Sequence, residues 1–286
     1  MMREAVTDRV PMGSAYASPC SLNVGSDRFD VGAAKCLRFV GMRLGEQVVV
    51  SGVVEQEFGL TRDGRHIPGV LWRPESQSIE HLVLIGHGAS GSKRESHVVA
   101  LARGLARRHG IASAAIDGPI HGDRRGERSD DQGLVMLDFS QIWSSETTMT
   151  DSMVADWRAT IDGLDVELGL GDAALGYWGL SMGTILGLPL VAADQRIGAC
   201  VLGLAGLTGP TADRLSADAP NVQCPTFFTM QMDDELFGRQ TVLDLFDAIG
   251  AKDKQLHATP GRHSAVTDET FVMTATFLAD RLRRGR

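Results

Sequence analysis

The sequence predicts an α/β protein in which helices cover both faces of a mainly parallel sheet, and three observations lead to this prediction. From residue 82 onward, short apolar runs alternate with segments of helical periodicity, as strands and crossover helices do in such a protein. Several of the runs end in glycine, which is typical of buried parallel strands that turn directly into the next segment. A chain of 286 residues with 43% hydrophobic content can fill one large core.

The first predicted strands precede this alternating part. Residues 47–64, QVVVSGVVEQEFGLTRDG, and residues 65–74, RHIPGVLWRP, carry many β-branched residues and alternate in polarity. We expect them to pair as a hairpin with its turn at Asp63-Gly64. Further strands are predicted at residues 81–88, 111–117, 173–181, 197–206, 224–232 and 254–261.

Apolar residues recur at helical spacing between these strands. The clearest stripe can end at Gly169. It consists of Val154, Trp157, Ile161, Leu164 and Leu168. Other helices are predicted near residues 98–105, 182–194, 211–218, 239–250 and 271–282. The succession predicts a single domain over residues 46–286, preceded by an N-terminal extension of residues 1–45 without a sustained period.

One irregular segment, residues 119–150, interrupts the alternation. Its first half is charged, GDRRGERSDDQG, and its second half is apolar, LVMLDFSQIW. A loop of this length in a compact domain is often functional, so we expect a small cap or lid. Two alternatives stay open for its apolar residues, which either line a substrate pocket or pack the loop onto the body. These residues are Phe139, Ile142, Trp143 and Met149.

Composition and motifs argue against several classes of protein. A net charge of −8 disfavours a nucleic-acid partner, and the sequence has no run of 18 apolar residues that would predict a membrane span. Residues 1–20 lack the apolar core of a signal peptide, so we expect a cytoplasmic protein. No CxxC, metal-binding or dinucleotide motif is present, and we therefore expect free thiols, no metal and no cofactor.

The most informative pattern is GYWGLSMGTILG at residues 176–187. Ser181 lies where a predicted strand meets a predicted helix, with Gly179 two residues before it and Gly183 two residues after it. Small residues at these positions allow the strand and the helix to approach closely around a sharply turned nucleophile. The pattern therefore predicts that Ser181 is a nucleophile rather than an ordinary serine in a glycine-rich turn.

A serine nucleophile needs a base, and the base needs an orienting carboxylate. On this kind of sheet the order along the chain is serine, acid, histidine. Of the two histidines after Ser181, His257 lies within the last predicted strand and His263 in the loop that follows it, so we expect His263 to be the base. The acid should follow the strand at 224–232, where Asp233, Asp234 and Glu235 form an acidic run.

These residues resemble the α/β-hydrolase superfamily. The resemblance covers residues 50–286 and is carried by GHGASG (86–91), DGPIHGD (117–123), GLSMG (179–183), QMDDELF (231–237) and PGRHS (260–264). It is closest to serine esterases of the dienelactone-hydrolase and prolyl-oligopeptidase-related type. The resemblance implies an α/β-hydrolase fold with a mostly parallel eight-stranded sheet and with a small cap or none.

The resemblance also implies residue roles. The family pattern G-x-x-D-x-x-V, laid on MDDELF, favours Asp234 over Asp233 as the acid. The backbone N–H groups of Ala89 and Met182 would form the oxyanion hole. The family strand order would place Cys200 and Cys224 on neighbouring strands, where a disulfide is an alternative to free thiols.

The expected function is therefore a serine hydrolase that cleaves a small-molecule carboxylic ester through an acyl-enzyme on Ser181. A peptidase, a thioesterase or a C–C hydrolase could use the same groups, because the fold does not fix the bond that is cleaved. A non-catalytic binding protein on the same scaffold is the alternative from another class. The sequence predicts neither the substrate nor the oligomeric state.

Overall fold

Nine strands form one sheet in the described part of the chain, residues 39–75, 78–127, 129 and 131–285 of a computed structural model. The strands are β1 Phe39–Val50, β2 Val53–Arg62, β3 Arg65–Pro74, β4 His81–Gly86, β5 Ala112–Ile116, β6 Ala174–Gly179, β7 Ile197–Gly203, β8 Thr226–Gln231 and β9 Lys254–Thr259. Their order is β1-β2-β3-β5-β4-β6-β7-β8-β9. The pairs β1–β2, β2–β3 and β3–β5 are antiparallel, and all the others are parallel.

Helices cover both faces of this sheet. They are α1 Ser96–Gly104, α2 Gln132–Ser145, α3 Met149–Leu168, α4 Met182–Ala193, α5 Ala212–Asp218, α6 Arg239–Ala248 and α7 Asp268–Arg284. Side chains of α2 to α6 share one buried cluster with the sheet, and side chains of α1 and α7 share another. The predicted α/β architecture with a mostly parallel, doubly covered sheet is confirmed.

The predicted strand count was one too low. Residues 47–62 were predicted as one strand, but the chain turns at Ser51 and Gly52 between β1 and β2. Both turn residues have positive φ, 51° and 77°, the backbone that a two-residue hairpin turn requires. The run of valines on both sides of this turn concealed it, because valine favours a strand on either side.

The predicted hairpin turn at Asp63-Gly64 is present. Arg62 pairs with Arg65 across it, and the two turn residues have φ values of 50° and 79°. Most of the predicted N-terminal extension, residues 1–45, lies outside the described residues. Its last part, residues 39–45, belongs to β1.

The segment 119–150 is not an irregular loop throughout. It contains a short 3₁₀ turn, Gly122–Arg124, and the whole of α2. The side chain of Asp131 caps α2 by accepting hydrogen bonds from the N–H groups of Gly133 and Leu134. The sequence did not predict α2, because its apolar residues lie on more than one side of the helix and do not form a single stripe. Leu134 and Leu137, for example, are exposed.

Cys200 and Cys224 are free thiols on the neighbouring strands β7 and β8 or next to them. Cys200 is fully buried and approaches the hydroxyl of Thr226. The other two cysteines, Cys20 and Cys36, lie outside the described residues. Among the helices that the structure describes, none is both long enough and apolar enough to cross a membrane.

Candidate active site

Ser181 lies at a sharp turn between the end of β6 and the start of α4. Its backbone has φ 57° and ψ −120°, a conformation that a residue with a side chain rarely adopts. The N–H of Ser181 donates to the carbonyl of Gly203 at the end of β7, 3.0 Å away. The turn is therefore anchored to the neighbouring strand, and the strain at Ser181 is maintained by its surroundings.

The glycines on both sides of Ser181 are required by close backbone approach. A Cβ on Gly179 would lie 2.6 Å from the carbonyl oxygen of Gly183, and a Cβ on Gly183 would lie 2.6 Å from that of Gly86. Real Cβ atoms do not approach backbone oxygens so closely. The hydroxyl of Tyr177 donates to the Gly183 carbonyl at 2.6 Å and fixes the first turn of α4.

The structure brings Ser181, His263 and Asp234 together. The Nε2 atom of His263 lies 2.9 Å from the Oγ atom of Ser181, and its Nδ1 atom lies 2.8 Å from Oδ2 of Asp234. His263 follows β9 and Asp234 follows β8, so the loops at the carboxyl ends of parallel strands converge on the serine. The side chains of His263 and Asp234 are only 12% and 2% exposed.

The surroundings of Asp234 keep its carboxylate ionised. Burial alone would raise the pKa of Asp234, but the hydrogen bond from His263 and those from the N–H groups of Leu236 and Phe237 lower it. An ionised Asp234 accepts a hydrogen bond from His263 Nδ1, which therefore carries the proton. The Nε2 atom is then left as an acceptor for the hydroxyl proton of Ser181.

The other two acids of the run have separate partners. The carboxylate of Asp233 accepts the N–H of Gly261, 3.1 Å away, and that of Glu235 accepts the N–H of His263, 2.9 Å away. The hydrogen bond from His263 N–H is the main reason that the pKa of Glu235 falls to about 2. Glu235 thus holds the backbone of the histidine, a contact that the sequence does not reveal.

Ala89 and Met182, predicted as oxyanion donors, lie in the segment after β4 and at the start of α4. Met182 is the first residue of α4, where backbone N–H groups have no partner within the helix. Within the described residues, neither the N–H of Ala89 nor that of Met182 makes a hydrogen bond. Both donors are therefore available to a negatively charged oxygen.

Two buried histidines hold the 86–91 loop that carries Ala89. The Nε2 atom of His87 accepts the N–H of Gly118 at 2.8 Å, so its Nδ1 atom carries the proton and donates to the Gly88 carbonyl at 2.8 Å. The Nε2 atom of His121 lies 2.9 Å from the Ala89 carbonyl. Burial lowers the pKa of both histidines and keeps them neutral.

The two aspartates of the DGPIHGD segment form ion pairs with a buried lysine. The Nζ atom of Lys93 lies 2.6 Å from Oδ2 of Asp117 and 2.5 Å from Oδ2 of Asp123. Asp117 also accepts the backbone N–H groups of Lys93 and Asp123. In the part of the chain that the structure describes, no group of three or more His, Cys, Asp or Glu side chains could hold a metal ion.

The predicted pocket residues of the 119–150 segment are mostly packed into the body. Phe139 and Met149 are 3% exposed, and Ile142 and Trp143 pack against the same buried cluster. Phe139 stacks on Trp143 with 5.9 Å between ring centroids, and it contacts the ring of His121 at 5.6 Å. The packing alternative thus has direct support for Phe139 and Met149. Their role in substrate binding stays a prediction.

A polar cavity of about 310 Å³ adjoins the 86–91 loop. Its lining includes Ser90, Ser92, Arg125, Gln132 and Val135. Neither Ser181 nor His263 lines this cavity, so it does not contain the contact between them.

The architecture and the strained serine together define an α/β-hydrolase fold. No protein-family model and no curated protein matches the chain. Among solved structures, a PEG-bound cold-adapted esterase from an Arctic intertidal metagenomic library is 41% identical, with a TM-score of 0.74. The match covers 83% of this chain and 97% of that one.

More distant structures share the fold alone. Acetyl xylan esterase 1 from a Thermoanaerobacterium species is 13% identical, with a TM-score of 0.64 over 84% of this chain and 87% of that one. Dienelactone hydrolase from Anabaena variabilis is 16% identical, with a TM-score of 0.58 over 84% of this chain and 97% of that one.

By its identity to the cold-adapted esterase, the chain belongs to the esterases of the α/β-hydrolase superfamily. It is a carboxylesterase-type hydrolase. The predicted superfamily and enzyme class are confirmed.

Proposed function

We propose that the protein cleaves carboxylic esters through an acyl-enzyme formed on Ser181, with His263 as general base and Asp234 as the orienting acid. The observation that carries the proposal is the continuous contact from Asp234 Oδ2 to His263 Nδ1 and from His263 Nε2 to Ser181 Oγ, at 2.8 and 2.9 Å. Each distance is within hydrogen-bond reach, as proton transfer from serine to imidazole requires.

In the first half-reaction, Ser181 Oγ attacks the ester carbonyl carbon while His263 Nε2 takes the hydroxyl proton. The carbonyl oxygen becomes negatively charged and accepts hydrogen bonds from the N–H groups of Ala89 and Met182. The positive end of the α4 helix dipole stabilises the same charge. His263 then gives its proton to the departing alcohol oxygen, and the C–O bond breaks to leave an ester on Ser181.

In the second half-reaction, water replaces the alcohol. His263 takes a proton from the water, whose oxygen attacks the acyl carbon, and a second tetrahedral intermediate forms in the same oxyanion hole. Its collapse returns the proton to Ser181 Oγ and releases the carboxylic acid. Asp234 stabilises the imidazolium in both half-reactions, because its low pKa keeps it charged at neutral pH.

The proposed substrates are small esters. The similar structure is described as a PEG-bound cold-adapted esterase, which supports a small-molecule ester as the substrate class.

The direct test is hydrolysis of a short-chain p-nitrophenyl ester by wild type and Ser181→Ala. We expect the variant to lose at least about a thousandfold in kcat, because the nucleophile is removed. Ser216→Ala, which changes an exposed serine on α5, is the matched control and should retain wild-type activity. If Ser181→Ala keeps wild-type activity while folded, Ser181 is not the nucleophile.

A further inference from the structure

His121 is a fully buried histidine that the proposed mechanism does not use. It lies just after β5, in the loop that leads to the Gly122–Arg124 turn. Its Nε2 atom is 2.9 Å from the carbonyl oxygen of Ala89. A carbonyl oxygen only accepts hydrogen bonds, so Nε2 carries the proton and donates it.

The contact fixes one of the two peptide groups that meet at the Ala89 Cα. Within the described residues, the Ala89 carbonyl has no other hydrogen-bond donor. The preceding peptide group is held separately, since its Gly88 carbonyl accepts from His87 Nδ1 and from the N–H of Gly91. The Ala89 N–H belongs to this preceding peptide group, because a planar peptide joins it to the Gly88 carbonyl. His121 holds the following peptide group, so the two histidines together fix the Ala89 Cα and the direction of its N–H.

The ring of His121 is itself fixed on several sides. It meets the His87 ring edge-on with 4.9 Å between centroids, and it packs on Phe139 of α2. Its Nδ1 atom is buried without a hydrogen-bond partner in the described part of the chain. That atom faces Gly118, where an added Cβ would lie 2.9 Å from it. An unpaired polar atom at this depth is costly, so packing alone would favour an apolar side chain here. What an apolar side chain would lack is the hydrogen bond to the Ala89 carbonyl.

We infer that His121 is a positioning residue for the oxyanion hole. It holds the Ala89 carbonyl and thereby the position of Ala89, so that the N–H in the peptide group held by His87 is directed at the reacting oxygen. The inference rests on the proposed function, because it needs an oxyanion at that place. It also assigns a role to α2, whose Phe139 supports the ring that holds the 86–91 loop.

The test compares two substitutions that differ in one property. His121→Gln keeps an N–H donor at about the position of Nε2, whereas His121→Leu fills similar space without a donor. We expect His121→Leu to lower kcat about 10- to 100-fold with little change in KM, because one oxyanion donor is misplaced. His121→Gln should recover most of the loss. His257→Leu, a histidine that contacts Phe227 on β8, is the control and should retain wild-type kcat.

A second readout separates positioning from general damage. An alkylboronic acid forms a tetrahedral adduct with an active serine and places an oxygen in the oxyanion hole. Its affinity should fall with kcat/KM across the His121 series, by the same factor. Equal losses in the Gln and Leu variants would overturn the inference, and so would wild-type kcat and inhibitor affinity in His121→Leu.

Two further variants keep the test decisive. If His121→Leu does not fold, His121→Asn replaces it, because its amide is too short to reach Ala89; wild-type kcat in that variant would overturn the inference. Ser181→Ala is assayed in parallel. Activity in Ser181→Ala would reject the proposed function itself, whereas an inactive Ser181→Ala with an unaffected His121 series would reject the role of His121 alone.

Discussion

At the scale of single residues, the site depends on which ring nitrogen of His263 carries the proton. The carboxylate of Asp234 accepts a hydrogen bond from Nδ1. This leaves Nε2 free to accept a hydrogen bond from the hydroxyl of Ser181. A neutral amide in place of Asp234 could present its NH₂ group to Nδ1, which would favour the opposite tautomer. In the proposed mechanism, the orientation of this hydrogen bond therefore decides whether Ser181 can be activated.

The first prediction concerns the choice between the two neighbouring aspartates. We expect Asp234→Asn to lower kcat for a p-nitrophenyl ester by about a thousandfold or more, through loss of the correct tautomer and of the negative charge. Asp233→Asn is the matched control, because Asp233 contacts the N–H of Gly261 and not the imidazole. It should change kcat little, and a larger loss in Asp233→Asn than in Asp234→Asn would contradict the assignment.

The sequence limits the acid to a short run but does not select one member of it by spacing alone. Asp233, Asp234 and Glu235 are consecutive, and a turn directs their side chains to three different partners. Which one faces His263 depends on the path of the β8–α6 connection relative to the β9–α7 connection, a non-local property. The order serine, acid, histidine can be read along the chain, and the structure places the predicted His263 in contact with Ser181 and Asp234.

At the scale of secondary-structure elements, the site depends on how closely α4 approaches the sheet. The first turn of α4 lies against the ends of β4 and β6, with glycine at each point of contact. This proximity lets Ser181 turn sharply while the N–H of Met182 stays at the helix terminus. Any added atom must separate the helix from the sheet or shift the strand ends.

The second prediction tests this approach. Gly183→Ala should lower the free energy of unfolding by about 1–3 kcal/mol, because its Cβ would overlap the carbonyl of Gly86. Gly104→Ala is the matched control, since Gly104 has helical φ and nothing within 4 Å of its Cβ position. That change should stabilise the protein by up to about 1 kcal/mol. Urea denaturation measures both, and equal effects would contradict the packing argument.

The elements themselves were predictable to different degrees. The parallel strands and their helices followed from apolar runs and helical spacing, since burial of both sheet faces imposes those patterns. The turn at Ser51-Gly52 was missed because valines flank it on both sides. Helix α2 was missed because its apolar residues do not follow one stripe. It is held in place by the tertiary contacts of Phe139 with His121 and of Trp143 with Thr211.

At the scale of the whole molecule, a buried ionic network joins three separate parts of the chain. The carboxylate of Asp156 in α3 pairs with Arg62 at the end of β2 and with Arg124 in the loop after β5. The Asp156 side chain is 1% exposed, and the two arginine side chains are 6% and 8% exposed. Arg124 also donates to the Asp117 carbonyl, so the network reaches the loop next to the candidate site.

The third prediction concerns this network. Asp156→Asn should destabilise the fold by about 3–5 kcal/mol, because two buried guanidinium groups lose their shared buried carboxylate and, among the described residues, only Arg62 keeps another, the exposed Asp63. Asp162→Asn is the matched control. Asp162 lies on α3 like Asp156 but forms an exposed ion pair with Arg196, so its loss should cost less than about 1 kcal/mol. Chemical denaturation of both variants measures the difference. Similar small losses in the two variants would show that the network does not hold the three parts together.

The central claim, that Ser181 is an activated nucleophile, is tested most directly by covalent labelling with a fluorophosphonate. The account predicts one adduct per chain, located on Ser181 by peptide mass spectrometry, and a labelling rate that falls sharply in His263→Ala. Wild-type protein that hydrolyses esters yet carries no adduct on Ser181, or carries it on another residue, would contradict the account.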